Sequence, residues 1–97
     1  MTDDLKKRAK EYEDQVLGAI LSNPAKFYEI QPLFKPEMFA IRKNNVIAQA
    51  IFNVVEAGQT PDILTVRNQI EKNGFSDMVS AFDMVELYSD TVPGRLT

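Results

Sequence analysis

The chain of 97 residues contains neither cysteine nor histidine. The lack of cysteine excludes a disulfide framework, a thiolate metal site and a cysteine nucleophile. The lack of histidine removes the commonest general base, the Ser-His-Asp and Cys-His catalytic arrangements and the usual zinc ligands. We therefore expect no catalytic residue and no metal site in this sequence.

Glycine-rich loops and long apolar runs are also missing. The four glycines are isolated, and no loop ends in Gly-Lys-Ser or Gly-Lys-Thr, so we expect no bound cofactor. The sequence starts with charged residues, and no stretch approaches the roughly 18 apolar residues that span a bilayer. The sequence thus predicts a cytoplasmic location.

The charge balance argues against direct binding of nucleic acid. The formal net charge is −3, with acids and bases mixed over most of the chain, so no basic patch is available for a phosphate backbone. A chain of this size, with 44% apolar residues, can bury about 60 to 70% of its unfolded surface. We expect residues 1–97 to form one domain.

Apolar residues recur at helical spacing along the chain. The first stripe consists of Leu5, Ala9, Tyr12, Val16 and Ile20. The charged residues between them, among which are Glu11, Glu13 and Asp14, are expected to face solvent. A second, short helix is expected after Asn23 and Pro24, where asparagine can cap and proline suits the first helical turn, and Pro32 limits it. The segment from Pro36 to Phe39 predicts one helical turn that places Met38 or Phe39 in the core.

Three further helices follow. The central one carries adjacent apolar pairs between Val46 and Val55 and ends at Gly58 in a left-handed cap. Asp62 is expected to cap the next helix, which Gly74 closes. The last helix, residues 77–89, is expected to bury Met78, Phe82, Val85 and Tyr88. The sequence therefore predicts an all-α, compact orthogonal bundle of about five helices plus a short helical turn.

Two groups of carboxylates have competing interpretations. Asp14 and Asp62 are expected near helix termini, where capping explains them without catalysis. The last helix is rich in acidic residues, which are Asp77, Asp83, Glu86 and Asp90. No lysine or arginine occurs between Gly74 and Gly94. The acidic residues are either a solvated face or a docking surface for a basic partner.

Several short motifs occur together in a specific order: Val16-Leu17-Gly18-Ala19, Pro36-Glu37-x-Phe39, Asn44-x-x-Ile47 followed by Ala50-Ile51, and Gly58-x-x-x-Asp62-x-x-Thr65-Val66. Together they resemble the N-terminal domain of DnaB-type replicative DNA helicases, from about Glu11 to Pro93. One departure is the stretch 77–82, where that family commonly has a Gly-Gly-x-x-Tyr-Leu-type run.

The resemblance implies a protein-binding module rather than a motor. In the family, these domains form part of the N-terminal tier of a hexamer and bind the C-terminal domain of primase, so neighbouring helicase subunits and primase are the expected partners. Complete members continue into a helical hairpin and a RecA-like ATPase domain that uses ATP and Mg. We expect this chain to be the globular head alone. The candidate partner-binding residues are Glu11, Asp83, Met84 and Glu86. Met84 is either an exposed, adaptable thioether or a residue that fills a gap in the core.

Other interpretations remain open. The chain is alternatively a free-standing helical adaptor, or the helicase-binding domain of a primase, which also resembles this fold. The local motifs favour the helicase interpretation. As an isolated fragment it is expected to be a monomer or a weak dimer.

Overall fold

The structure, a computed structural model, describes the backbone of residues 3–91 and the side chains of residues 7–89. Its described backbone contains five α-helices and no strand. The helices are α1 (Asp3–Ser22), α2 (Lys26–Ile30), α3 (Arg42–Glu56), α4 (Ile63–Lys72) and α5 (Ala81–Thr91). Two short 3-10 turns, Gln31–Leu33 and Pro36–Met38, lie between α2 and α3. The predicted all-α class, with a short helical turn beside the helices, is confirmed.

Helix α3 lies at the centre of the core. Its apolar side chains occur as adjacent pairs every four residues, which gives a stripe broad enough to contact several neighbours. The buried members are Val46, Ile47, Ala50, Ile51 and Val54. Helix α3 packs mainly against α4 and also contacts α1, while α5 lies along α1 and contacts α4. The core is therefore built from α3 with α4 and α1, and from the contact of α5 with α1.

The C-terminal ends of α3 and α4 are set by two glycines in the left-handed region, Gly58 at φ +80° and Gly74 at φ +85°. At the end of α3, the amide of Gln59 donates to the carbonyl of Val54, and the amide of Gly58 donates to Val55. These two bonds form a Schellman motif, which satisfies carbonyls that the helix leaves unpaired. The same pair of bonds closes α4. Both predicted glycine caps are confirmed.

The N-terminal end of α4 is held by the predicted cap, Asp62. The amide of Thr65 donates to the Asp62 carboxylate at 2.9 Å, and the amide of Asp62 donates to the Thr65 hydroxyl at 3.1 Å. This reciprocal pair is a capping box. Asp62 thus has the structural role that the sequence predicts for it.

The segment around α2 differs from the prediction at its start. Ala25 precedes the helix without a side-chain cap, so the expected side-chain capping by Asn23 is wrong. The backbone carbonyl of Asn23 instead accepts from the amide of Lys26 at 2.8 Å, in a turn. The expected end is confirmed, because the α-helix stops at Ile30, ahead of Pro32.

Three phenylalanines fill the space beside α2 and the 3-10 turns. The ring centroids of Phe27 and Phe34 are 5.0 Å apart, and those of Phe34 and Phe39 are 5.5 Å apart. Both separations suit favourable tilted or edge-to-face packing. Of the two residues predicted to enter the core from the second turn, Phe39 is buried and Met38 is 67% exposed.

The buried face of α1 is offset from the predicted stripe. Of the predicted residues, Ile20 is buried, Val16 is partly buried, Ala9 and Tyr12 are exposed, and Leu5 lies outside the described side chains. The buried face consists of Glu13, Leu17, Ile20 and Leu21, with Glu13 only 6% exposed. The expectation that Glu13 faces solvent is wrong, because its spacing places it on the same helical face as Leu17 and Ile20.

The last helix is also rotated relative to the prediction. It begins at Ala81 rather than at residue 77 and buries Met84 and Leu87. Preceding it, Val79 is buried as well. The residues that were expected to be buried, Met78, Phe82, Val85 and Tyr88, are all exposed to a third or more of their surface. Residues 92–97, which contain the expected stop at Pro93 and Gly94, lie outside the described part.

Replacing Gly58 by alanine should lower the free energy of unfolding by about 1 kcal/mol, because an L side chain is strained at this φ. A Cβ atom added there meets nothing within 4 Å, so the cost is conformational rather than a steric clash. Gly58→Asn should cost less, since asparagine tolerates the left-handed region better. Urea unfolding measures both variants, and equal stability of the alanine variant and the wild type would contradict the assignment.

Candidate docking site

A buried carboxylate joins α1 to the N-terminal end of α3. Glu13 accepts hydrogen bonds from the backbone amides of Ala40 at 2.9 Å and Ile41 at 3.3 Å. Its other partner is the side-chain amide of Asn44, at 3.2 Å. The residue that precedes α3, Ile41, offers no side-chain cap of its own. Glu13 therefore holds, from another helix, the segment that leads into α3, including the backbone amide of its N-cap residue Ile41.

The polar network extends from Glu13 towards the surface. The side-chain amide of Asn44, which is also buried, donates to Asp14 at 3.0 Å. Asp14 in turn pairs with Lys10 at 2.7 Å, one turn earlier on α1. Asp14 therefore lies in the middle of α1 and binds across to α3, and the expectation that it caps a helix terminus is wrong. No buried side-chain nitrogen or oxygen in the described part lacks a partner.

This network opens onto a groove between α1, α3 and α5, which we call the α1–α5 cleft. It has a volume of about 310 Å³. Its lining residues are Lys10, Asp14, Ile41, Lys43, Asn44, Ile47, Asp83, Glu86 and Leu87. Two of the four predicted partner-binding residues, Asp83 and Glu86, thus lie together in one cleft.

Asp83 has a structural role in this cleft. The backbone amide of Ser80 donates to its carboxylate at 2.9 Å, and the Ser80 hydroxyl accepts from the amide of Asp83 at 3.1 Å. This capping box fixes the start of α5. The ammonium of Lys43 also lies 3.3 Å from the Asp83 carboxylate. The Ser80 hydrogen bond, followed by the contact with Lys43, lowers the pKa of Asp83 below its ordinary value, although partial burial opposes this.

The other two predicted residues lie elsewhere. Glu11 is exposed on α1 and does not line the α1–α5 cleft. Met84 is 0% exposed, so its expected position on the surface is wrong. The reason is tertiary packing, because α5 lies along α1 and contacts α4, and Met84 and Leu87 occupy its buried face. Met84 fills the core, the alternative role of a flexible thioether.

Two apolar surfaces lie away from this cleft. The first, which we call the apolar groove, lies between α1 and the 3-10 turns and has a volume of about 530 Å³. Exposed side chains that line it are Tyr12, Leu33 and Met38. The second, which we call the α5 strip, consists of Phe82 and Val85 on the outward face of α5, with Phe82 69% exposed.

Sequence reasoning missed Glu13 and Asn44 as key residues. The signal was available for Glu13, because it precedes Leu17, Ile20 and Leu21 by four, seven and eight residues, which is the spacing of one helical face. A carboxylate in such a stripe indicates a buried acceptor with partners on another element. Its partner, the start of α3, is 27 residues away along the chain and is not legible from local spacing.

The described residues contain no group of three or more acidic, histidine or cysteine side chains that could hold a metal ion. In the same part of the chain, no helix has the length and apolar character needed to cross a membrane.

The fold and its grooves define the class of this protein as a small all-α domain whose buried polar groups hold its helices in register. The chain matches a family model described as the DnaB-like helicase N terminal domain over residues 6–95. Since this match covers nearly the whole chain, the chain belongs to that family, as its motifs predict, and the family is a non-catalytic part of a helicase. No curated protein and no solved structure matches the chain.

Glu13→Ala should lower the free energy of unfolding by about 3 kcal/mol, because it leaves two backbone amides and Asn44 without their buried acceptor. Glu11→Ala is the matched control, since Glu11 is an exposed residue of the same helix, and it should change stability by less than about 0.5 kcal/mol. Chemical unfolding measures both. Faster hydrogen exchange at the amides of Ala40 and Ile41 should accompany the loss in Glu13→Ala, and unchanged exchange there would contradict the assigned role.

Asp83 should make folding stability depend on pH. Since the pKa of Asp83 is lower in the folded state, its carboxylate stabilises the fold above the unfolded pKa of about 3.9. This contribution is lost as the pH falls through the folded pKa. The stability difference between wild type and Asp83→Asn should therefore be constant above about pH 5 and shrink below about pH 4.

Thermal unfolding at a series of pH values tests the sign of this effect. Lys43→Gln serves as a partial control. It removes the ammonium beside the Asp83 carboxylate but leaves the hydrogen bond that the Ser80 amide donates to that carboxylate. A difference between wild type and Asp83→Asn that stays constant down to pH 2 would show that the carboxylate makes no such contribution.

Proposed function

We propose that this domain is the assembly and partner-docking module of a replicative DNA helicase. In this role it contributes to the N-terminal tier of the hexamer and binds the C-terminal domain of primase, which keeps primer synthesis beside unwinding. Its parent would hydrolyse ATP with Mg in a separate motor domain. The observation that carries the docking proposal is the convergence of Asp83 and Glu86 in the α1–α5 cleft.

The electrostatics of α5 support a basic partner. No lysine or arginine occurs between Gly74 and Gly94, so the acidic side chains of this segment have no basic neighbour on their own element. Like charges that are held together on a small domain steer complementary surfaces and raise association rates. The α5 side of the cleft thus suits a partner that presents lysine or arginine.

The two acids of the cleft are not equivalent. Asp83 caps α5 and contacts Lys43, so much of its charge is already balanced inside the domain. Glu86 is exposed and forms no ion pair within the described side chains. Glu86 is therefore the stronger contact for a basic partner, and exposed Glu11 on α1 is a secondary one. Met84 lies on the buried face of α5, so it can act only indirectly, by packing α5 against the core.

The family match favours this helicase role over a free-standing adaptor or a primase domain. An adaptor would have no reason to share the family's pattern over residues 6–95, while a helicase domain does.

Glu86→Lys should weaken binding of the primase C-terminal domain from the same replication system by about fivefold, as expected for one exposed charge at an interface. Isothermal titration calorimetry or fluorescence anisotropy measures the dissociation constant. Glu71→Lys, a reversal of an exposed acid on α4, is the charge-matched control and should change it little.

Salt provides a second test of the same contact. Raising the ionic strength should weaken wild-type binding and reduce the difference between wild type and Glu86→Lys, since exposed charges are screened. If Glu86→Lys and Glu71→Lys lose the same affinity for primase, the loss is due to the change in net charge. Glu86 would then not be part of the docking site.

A further inference from the structure

The α1–α5 cleft contains cations of its own beside its carboxylates. Lys10 pairs with Asp14 at 2.7 Å, and the ammonium of Lys43 lies 3.3 Å from a carboxylate of α5. That carboxylate belongs to Asp83. We infer that Lys43 is an internal competitor for the basic side chain of the docking partner, which pairs with Glu86 and displaces Lys43 from Asp83. This inference rests on the docking role proposed above and adds the residue that regulates it.

The two acids of α5 are arranged to hold one cation together. Asp83 and Glu86 lie three residues apart, so they are neighbours on the helix surface, and both line the cleft. The backbone amide of Ser80 donates to the Asp83 carboxylate at 2.9 Å. This bond does not involve Lys43, so the carboxylate keeps its position when the ammonium leaves. A cation that arrives beside Glu86 therefore has a second, fixed carboxylate within reach.

The contact of Lys43 with Asp83 is of a kind that a partner can replace. The pair joins α3 to α5, and the Lys43 side chain is 47% exposed. Exposed ion pairs are weak, because water solvates both charges and two flexible side chains must be held in one geometry. The other pair of the cleft, between Lys10 and Asp14, lies within α1. A side chain that enters between α3 and α5 thus meets Lys43 as its rival.

The walls of the cleft suit the side chain of a lysine or an arginine. Ile41, Ile47 and Leu87 supply apolar surface beside the charged groups. Lysine and arginine lay their methylene stems along such surface and keep the charged head group in a polar environment. The volume of about 310 Å³ lies at the lower end of small-molecule pockets, which begin at about 300 Å³. The cleft is therefore of a size for a single side chain.

Two substitutions at Lys43 should change the affinity for the partner in opposite directions. Lys43→Gln removes the ammonium, so the charge of Asp83 becomes available to the partner. Lys43→Arg keeps the net charge but holds the carboxylate more tightly, because a guanidinium can donate two parallel hydrogen bonds to it. The partner then has a stronger rival to displace.

The experiment measures binding of the primase C-terminal domain from the same replication system by isothermal titration calorimetry. Lys43→Gln should strengthen binding about threefold and Lys43→Arg should weaken it about twofold, as expected for the exchange of one exposed ion pair. Lys72→Gln is the control, because it removes the same charge from an exposed residue of α4 that does not line the cleft. Its gain in affinity should be clearly smaller than that of Lys43→Gln.

A double-mutant cycle tests whether the gain passes through Asp83. Asp83→Asn keeps an oxygen that can accept from the amide of Ser80, but it has no charge for Lys43 to balance. In the Asp83→Asn background, Lys43→Gln should therefore strengthen binding no more than Lys72→Gln does. Both lysines are exposed, so all variants should fold, and circular dichroism checks their helix content.

Weaker binding by Lys43→Gln would overturn the inference, because Lys43 would then be a direct contact of the partner. Equal gains from Lys43→Gln and Lys72→Gln, or a gain that persists in the Asp83→Asn background, would also overturn it, since net charge would explain the effect. If this happens while Glu86→Lys still weakens binding, the docking role stands and only the role of Lys43 fails. A wild type that does not bind primase would overturn both proposals.

Discussion

The structure depends on the carboxylate of Glu13, which lies in the interior and accepts hydrogen bonds from the start of α3. A helix leaves its first amides unpaired, and the residue before α3 supplies no side-chain cap. A buried charge is costly unless its partners are in place, so Glu13 is tolerated only when α1 and α3 meet in one register. The positive end of the α3 dipole adds to this preference. One interaction thereby orients the central helix relative to the longest one.

This register decides which residues of α1 reach each surface. On one side of Glu13, Lys10 and Asp14 are directed towards the α1–α5 cleft. On the other side, Tyr12 and Val16 line the apolar groove. A rotation of α1 by one residue, about 100°, would move Glu13 out of the interior and redirect both sets of side chains. The stability of the fold and the presentation of its docking surfaces are therefore properties of the same contact.

The acidic residues of the candidate site could be predicted from the sequence. Which face of α5 is exposed to a partner could not. The acids that α5 contributes to the α1–α5 cleft can be recognised in the sequence, because no basic residue interrupts their segment. Met84 was placed on the wrong face, since α5 carries apolar residues on two sides and helical spacing cannot select between them. The packing of α5 against α1 and α4 makes that selection.

The sequence by itself determined the all-α class, the family and the helix ends at Gly58, Asp62 and Gly74. These features depend on backbone conformation and on partners within a few residues, so short motifs are sufficient to specify them. Only the tertiary structure decided that Glu13 is buried, that Met84 is internal and that Phe82 is exposed. Each of these outcomes depends on contact between helices that are distant along the chain, and burial on one face of a helix is settled only when its neighbours pack against it.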